Sequence, residues 1–485
     1  MSEWVSEAPT FAVVGKINMG KSSVLSTLLE IDDDSVVRIS NTPGETTMCQ
    51  AMPVVFGGQE MIRFVDTPGF SRALEAMRLM QEMHGEGSPN LETVKRFVRE
   101  QMNKREFADE ARLLEPLCQG AGILYVIDPS KPIRDAFVAE MEIMRWTGRP
   151  RMALLNEKGD NPERLEEWRS RLGSYFNLVR TFNAHRARFG ERRRLLRSLL
   201  EIDETNKEKI EQTIDFIDEE WERRREESAQ VVKDFLSKVM QHRESVALNE
   251  KEDSLEHLKE RKKEELTKKY YKSIAKFEKM AYEKFLKIYR HGLLKLEVAE
   301  EDFEGIDLSS EETWKKWGLS RSQITLAGGV TGGLAGGAID LASGGLTGGF
   351  GTLLGAVSGA AGAYFKGDSL PELRLDATTG GVGVGGTTAK NLVLGPPEND
   401  NFAWILLDRM LHHYKEIVSR SHGRRDEELV KRAEADAGRV RGFSRERRST
   451  IQKWLVTQAN NKPSPLDNEV FLKIKEVLEE VEQEE

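Results

Sequence analysis

Hydrophobic positions fall into three regimes along the chain. Up to about residue 200, short, mainly apolar runs at 11–14, 62–65, 123–128, 152–155 and 178–182 are separated by polar and amphipathic stretches. Runs of that length predict buried strands, and a helix over 22–29 follows the first. Between 69 and 123 a long charged stretch carries Met77, Met80 and Met83 at helical spacing, which predicts an extra helix. Its methionines suit either core packing or an adaptable partner surface.

From about 203 the apolar positions thin to narrow stripes. Ile210, Ile214, Ile217 and Trp221 follow a 4-3-4 spacing, Ser228, Val231, Phe235 and Val239 nearly continue it, and Ile274, Phe277, Ala281, Phe285 and Ile288 repeat it. These are amphipathic helices suited to an antiparallel bundle or a stalk over 203–320.

The third regime is nearly uncharged. Between 322 and 365 the only charged side chain is Asp340. Glycines recur four apart at 328, 332 and 336, at 329, 333 and 337, and at 351, 355 and 359, each set on one helix face. Helices 324–341 and 346–365 would form a glycine-zipper hairpin over 321–366. Each approaches the ~20 residues of a bilayer core, and Arg321 and Lys366 flank the pair on one side. Glycine and alanine are weakly lipophilic and Asp340 is costly in mid-bilayer, so a soluble clasp fits as well. Residues 373–377 and 391–395 then read as a small β-hairpin around a glycine-rich tip at 380–386. Helix returns over 400–455, and 470–485 reads as a solvated acidic helix within a last domain at 367–485.

Composition narrows the function classes. A chain of 485 residues should make two or three domains with ample core. Charged residues are 32% and the net charge is −9, which argues against a nucleic-acid platform. The basic runs 192–194 and 223–225 read as solvated helix faces. Cys49 and Cys118 lack metal-ligand spacing, and adjacent His412 and His413 point to different sides of a helix. Two distant cysteines fit a reducing compartment. No basic segment leads into an apolar core at the N-terminus, so no signal peptide is expected and the location is cytoplasmic.

The chemistry sits at strand ends. Gly15-Lys16-Ile17-Asn18-Met19-Gly20-Lys21-Ser22 follows the first strand and opens its helix. Backbone N–H groups and the positive end of the helix dipole then face an anion. Gly15 and Gly20 allow the turn, Lys21 reaches β- and γ-phosphates, and Ser22 ligates magnesium. The strand at 62–65 ends in Asp66-Thr67-Pro68-Gly69. Asp66 there can bind magnesium through water, and Gly69 can offer its N–H to a γ-phosphate. Between the motifs, Thr46 stands in a loop where it can close on the metal when the γ-phosphate is present.

With these motifs the chain resembles the translation-factor-like GTPases, and within them the Era/TrmE/EngA group. The resembling residues are Gly-x-x-Asn-x-Gly-Lys-Ser-Ser at 15–23, Pro-Gly-x-Thr at 43–46 and Asp-Thr-Pro-Gly at 66–69. Residues 395–399, 401–409 and 421–425 resemble a bacterial family in which this GTPase domain is fused to a C-terminal domain of unknown function. The resemblance implies an α/β P-loop GTPase domain over about 8–200, followed by a mainly α-helical region with the glycine-zipper hairpin and the small β-hairpin. It implies GTP and GDP as ligands, with magnesium as cofactor. A GTPase of this kind carries Asn-Lys-x-Asp after the strand at 152–155; here stands Asn156-Glu157-Lys158-Gly159-Asp160. Either a residue is inserted, or Glu157 takes the asparagine place while Lys158 and Asp160 keep their roles, Asp160 reading guanine. Asn183, Ala184 and His185 sit where the family's Ser-Ala-Lys backbone contacts the base. Phe70 follows Gly69, so no side-chain amide there orients water. In the group a phosphate-loop asparagine helps bind an activating potassium ion; Asn18 holds that position, or else only stabilises the turn.

Three readings result. The first is a GTPase switch, hydrolysing GTP to GDP, that repositions a helical domain docking on or entering the inner membrane, peripherally and reversibly, or meeting a membrane protein. The second is a dynamin-like remodelling or structural protein whose output is self-assembly, beginning with a homodimer. The third is a ribosome- or RNA-associated assembly factor, resting only on kinship of the GTPase domain.

Overall fold

The computed structural model describes residues 7–16, 18–30, 48–56, 58–157, 162–248, 255–291, 373–377, 390–397, 401–421 and 439–484. The glycine-rich hairpin at 321–366 and the 380–386 tip lie outside them, as do Ile17, Thr46, Lys158 and Asp160.

The chain divides into two units. In the first, which takes in the described residues up to 223 with 290–291 and 418–421, one sheet runs in the order β2-β3-β1-β4-β5-β6. Its strands are β1 (Thr10–Val14), β2 (Gln50–Phe56), β3 (Gln59–Asp66), β4 (Gly122–Ile127), β5 (Arg151–Asn156) and β6 (Leu178–Phe182). All pair in parallel except β2, which runs antiparallel to β3 at the edge. The apolar runs make this arrangement possible: β4 is buried at every position, as a central parallel strand covered on both faces requires. Pro53 sits in β2, where an edge strand tolerates a residue that cannot donate. No apolar alternation marked β2 in the sequence.

Helices α1 (Lys21–Leu29), α5 (Asp135–Trp146), α6 (Pro162–Gly173) and α7 (Phe189–Ile202) follow strands in turn. The stretch between β3 and β4 holds three helices instead of one: α2 (Ala73–His84), α3 (Leu91–Gln101) and α4 (Ala108–Cys118). Asn90 accepts from the N–H groups of Glu92 and Thr93 and so starts α3. Met80 is fully buried, and Met77 and Met83 pack half-buried on the same core, so the methionine stripe is packing. Burial pushes the Cys118 thiol up to about 11, which keeps it protonated and inert.

The long helix α8 (Lys207–Gln241) carries the 4-3-4 stripe, and its Ile210, Ile214 and Ile217 join the core of the first unit. The basic runs are solvated only in part: Arg194 and Arg223 stay exposed and pair along their own helices with Glu191 and Glu220, while others turn inward. Arg192 is buried against Glu30, Arg193 bonds Asp218 at 2.8 Å, Arg224 is buried, and Arg225 bonds Glu482 at 2.7 Å. Arg192, Arg193 and Arg225 each gain a carboxylate on another segment, which periodicity along one helix does not show.

In the second unit, α8 continues beside α9 (Glu256–Ile288), α10 (Asn401–Ser419), α11 (Arg445–Ala459) and α12 (Asp467–Gln483). The hairpin expected from sequence is present as β8 (Leu373–Ala377) against β9 (Lys390–Leu394), and β7 (Glu244–Leu248) adds a third strand on the other side of β9. The terminal helix is not solvated on all sides: Val470, Ile474, Val477, Leu478 and Val481 are buried. Trp404 and Trp454 are buried with their indole N–H groups on Gln452 and Asp467.

Candidate functional site

Among the described residues, the phosphate loop, the Asp66–Gly69 segment, Asn156 and the 183–185 loop emerge at the carboxyl ends of the parallel strands, where α/β sheets bind ligands. β1 delivers the phosphate loop. Gly15 adopts φ +151°, and a Cβ there would lie 2.5 Å from the Val126 carbonyl of β4, so only glycine fits. Asn18 and Gly20 take left-handed conformations at φ 65° and 93°; for Asn18 this is the turn geometry asparagine tolerates best. Gly20 is the N-cap of α1 and has no side chain to occupy the first-turn N–H groups, which leaves Lys21, Ser22 and Ser23 at the positive end of the helix.

Lys21 is buried, and its Nζ donates to the Gly15 carbonyl at 3.2 Å. Burial lowers its pKa, while Asp66 and Glu140 oppose that shift. Asp66 stands level with Val13 in the β1–β3 register and is 5% exposed. Thr67 donates to the Val13 carbonyl at 2.8 Å, fixing the start of the Asp66–Gly69 segment on β1. Below the loop, burial raises Glu140 to about 7; the Tyr125 hydroxyl donates to it at 2.7 Å, and Lys16 and Lys21 pull the other way. Lys16 itself lies over the Phe137 ring.

Just beyond Gly69, the N–H groups of Ser71 and Arg72 both donate to the buried Glu110 of α4, at 2.9 and 2.6 Å. Arg72 also pairs with Glu106 at 2.9 Å. The three-helix stretch thus holds the segment that follows Asp66–Gly69.

On the far side, Asn156 is fully buried. Its Nδ2 donates to the Met19 carbonyl at 3.2 Å, and its Oδ1 accepts from the Ala184 N–H at 3.2 Å. Asn156, at the end of β5, therefore joins the phosphate loop to the 183–185 loop, and Glu157 does not. The His185 N–H bonds Asn183 Oδ1 at 3.0 Å within the same turn.

The family model for a domain of unknown function, DUF3482, matches residues 169–476, well over half of the sequence. The chain belongs to that family. A second model, for a 50S ribosome-binding GTPase, matches residues 10–157 of this DUF3482 protein. A probable GTP-binding protein EngB from Syntrophus aciditrophicus is 39% identical over 85 residues, which cover 18% of this chain and 38% of that one. The match thus spans well under half the length of that relative. A crystal structure of Era with MgGDPNP and nucleotides 1506–1542 of 16S ribosomal RNA aligns at TM-score 0.27 and 15% identity, over 50% of this chain and 73% of that chain. The DUF3482 protein thus carries an N-terminal P-loop GTPase domain fused to a mainly helical region.

Of the residues named from sequence, Gly15, Lys16, Asn18, Met19, Gly20, Lys21, Ser22, Ser23, Asp66, Gly69, Asn183, Ala184 and His185 fall at the strand ends of one sheet. Sequence reasoning missed Glu110, Glu140 and Thr27, which act through folded contacts. Thr67 and Asn156 had a signal, lying inside the motifs already read. Among the described residues no three His, Cys, Asp or Glu side chains gather as a metal cluster, and His412 and His413 instead pair with Glu416 and Glu278.

Proposed function

We propose that this protein binds GTP with magnesium, hydrolyses it to GDP and acts as a switch. The observation that carries the reading is the buried Lys21, its Nζ on the Gly15 carbonyl of the phosphate loop and in the field of Asp66, at a helix N-terminus whose first turn holds no acidic side chain. Ser22 and Asp66 offer oxygen donors only, the set a hard cation prefers, and Thr46 would join them when the γ-phosphate is bound. Magnesium would neutralise charge on the β- and γ-phosphates. Lys21 grips the same phosphates, Gly69 presents its N–H to the γ-phosphate, and loop 183–185 with Lys158 and Asp160 holds the base. Wild-type protein should bind GTP far more tightly than ATP by calorimetry, and Asp160→Asn should shift preference towards xanthosine triphosphate. Equal affinity for ATP and GTP would refute the assignment.

Asn18 is proposed to hold an activating potassium ion. Turnover should rise when sodium is replaced by potassium, and Asn18→Ala should abolish the response. Equal turnover in both salts leaves Asn18 as a turn residue.

Membrane contact through residues 322–365 rests on their sequence. Among the described residues no helix is long and apolar enough to cross a membrane. Flotation with liposomes tests it: wild-type protein should rise, and lysines at Leu334 and Leu353 should keep it down, at roughly 2.5–3.5 kcal/mol per charge in mid-bilayer. Wild-type protein that stays at the bottom with both GDP and a non-hydrolysable GTP analogue refutes the contact.

A further inference from the structure

Ala184 lies in the loop proposed to hold the base, and both of its backbone groups are tied down. Its N–H donates to Asn156, and its carbonyl faces two hydroxyls, Thr27 at 2.9 Å and Ser421. The two hydroxyl oxygens are 3.1 Å apart. All three residues are buried, with Ala184 at 0%, Thr27 at 3% and Ser421 at 2% exposure. Thr27 belongs to α1, the helix opened by Ser22, and its oxygen is also 2.9 Å from the Ser23 carbonyl one turn back. A hydroxyl has one proton to give. Thr27 cannot serve the Ser23 and Ala184 carbonyls together, and Ser421 supplies the second proton.

Ser421 comes from far along the chain, 237 residues beyond Ala184, yet residues 418–421 belong to the same unit as the GTPase sheet. The GTPase family match ends at residue 157, before this loop, while the DUF3482 match contains both Ala184 and Ser421. The base-side loop and its distant support are therefore parts of one family domain.

We propose that Ser421 is a positioning residue for loop 183–185, through which the C-terminal chain sets how long a guanine nucleotide stays bound. The proposal rests on the GTP reading above. Asn156 fixes the loop on the phosphate side and Ser421 fixes it from beneath. Loss of the Ser421 hydroxyl leaves the buried Ala184 carbonyl competing for the Thr27 proton, and the loop loosens where the base would lie. Lys21, which would grip the phosphates, bonds the Gly15 carbonyl and is not a party to this bond.

The test uses the full chain, fluorescent GDP and magnesium pyrophosphate, a ligand with no base. Ser421→Ala should speed GDP release about five- to tenfold, the worth of one buried hydrogen bond, and leave pyrophosphate affinity unchanged. Ser421→Thr keeps the hydroxyl and should release GDP at the wild-type rate. If Ser421→Ala does not fold, Ser421→Cys, a weak donor of similar size, should show a smaller rise with the same selectivity. Unchanged GDP release in the alanine variant, or in the cysteine variant where it stands in, overturns the proposal. Equal weakening of GDP and pyrophosphate also overturns it, since that marks general loosening. Wild-type protein that fails to bind GDP sinks the GTP reading itself, a result distinct from either.

Discussion

Lys21→Ala should reduce GTP affinity about a hundredfold, the scale of losing charge-assisted hydrogen bonds to phosphate in a water-poor cradle. The ammonium is held where burial already disfavours its charge, with the Gly15 carbonyl and the field of Asp66 and Glu140 in support among the described residues. That arrangement is costly without an anion, so the variant should melt no lower than wild type in the absence of nucleotide. A binding lesion is thereby separable from unfolding. Titration calorimetry with GTP and a thermal melt of the ligand-free protein read the two effects. Unchanged GTP affinity would show that the loop is not the site.

The second large effect lies in the helical unit and concerns stability. Glu278 of α9 is 1% exposed and accepts from Arg409 at 2.7 and 3.0 Å and from His413 at 3.0 Å, both on α10. Burial would raise its pKa, but Arg409 and His413 together hold it down at about 2. Arg409→Ala leaves that carboxylate buried with histidine alone and should cost roughly 3–5 kcal/mol. Burial would lower the His413 pKa, but bonds to Glu278 and Glu416 raise it overall. The signs follow. Glu278 stabilises fully above the ordinary 4.5 and loses its contribution as pH falls through about 2. His413 stabilises fully below the ordinary 6.5, and its contribution fades as pH rises through its elevated value. This cluster therefore contributes most between pH 4.5 and 6.5. Denaturant melts across pH should show that window in wild type and a flatter profile in Arg409→Ala; superimposable profiles would refute the coupling.

Legibility in the sequence tracked how local each signal is. Strands β1, β4 and β5 were readable because central parallel strands are unbroken apolar runs, and β3 and β6 because apolar residues still flank their one or two polar positions. The edge strand β2, interrupted by Pro53 and polar residues, was not. β7 escaped for a similar reason, since Glu244–Leu248 is short and half polar and gains its partner only across 140 residues of chain. The phosphate loop was legible because consecutive backbone groups must cradle one ligand. Asn156 was visible but ambiguous, because spacing alone does not say which residue spans Met19 and Ala184. Glu110 was invisible: a lone glutamate in a charged stretch becomes an acceptor for Ser71 and Arg72 only once α4 packs. The arginine runs misled for the converse reason, since alternating charge looks like a wet surface until Glu30 and Asp218 arrive from elsewhere.

The late arrival of Ser421 bears on how the chain is made. Strands β1 to β6 are complete once residue 182 has been synthesised, so the sheet can form while translation continues. The Ala184 carbonyl waits a further 237 residues for its last donor, on the order of ten to fifty seconds at ordinary elongation rates. During that interval the nascent GTPase domain has its phosphate loop but lacks the support beneath its base-side loop. On the proposal above, a nascent chain that has not yet reached Ser421 would release guanine nucleotide faster than one in which Ser421 has docked beneath Ala184.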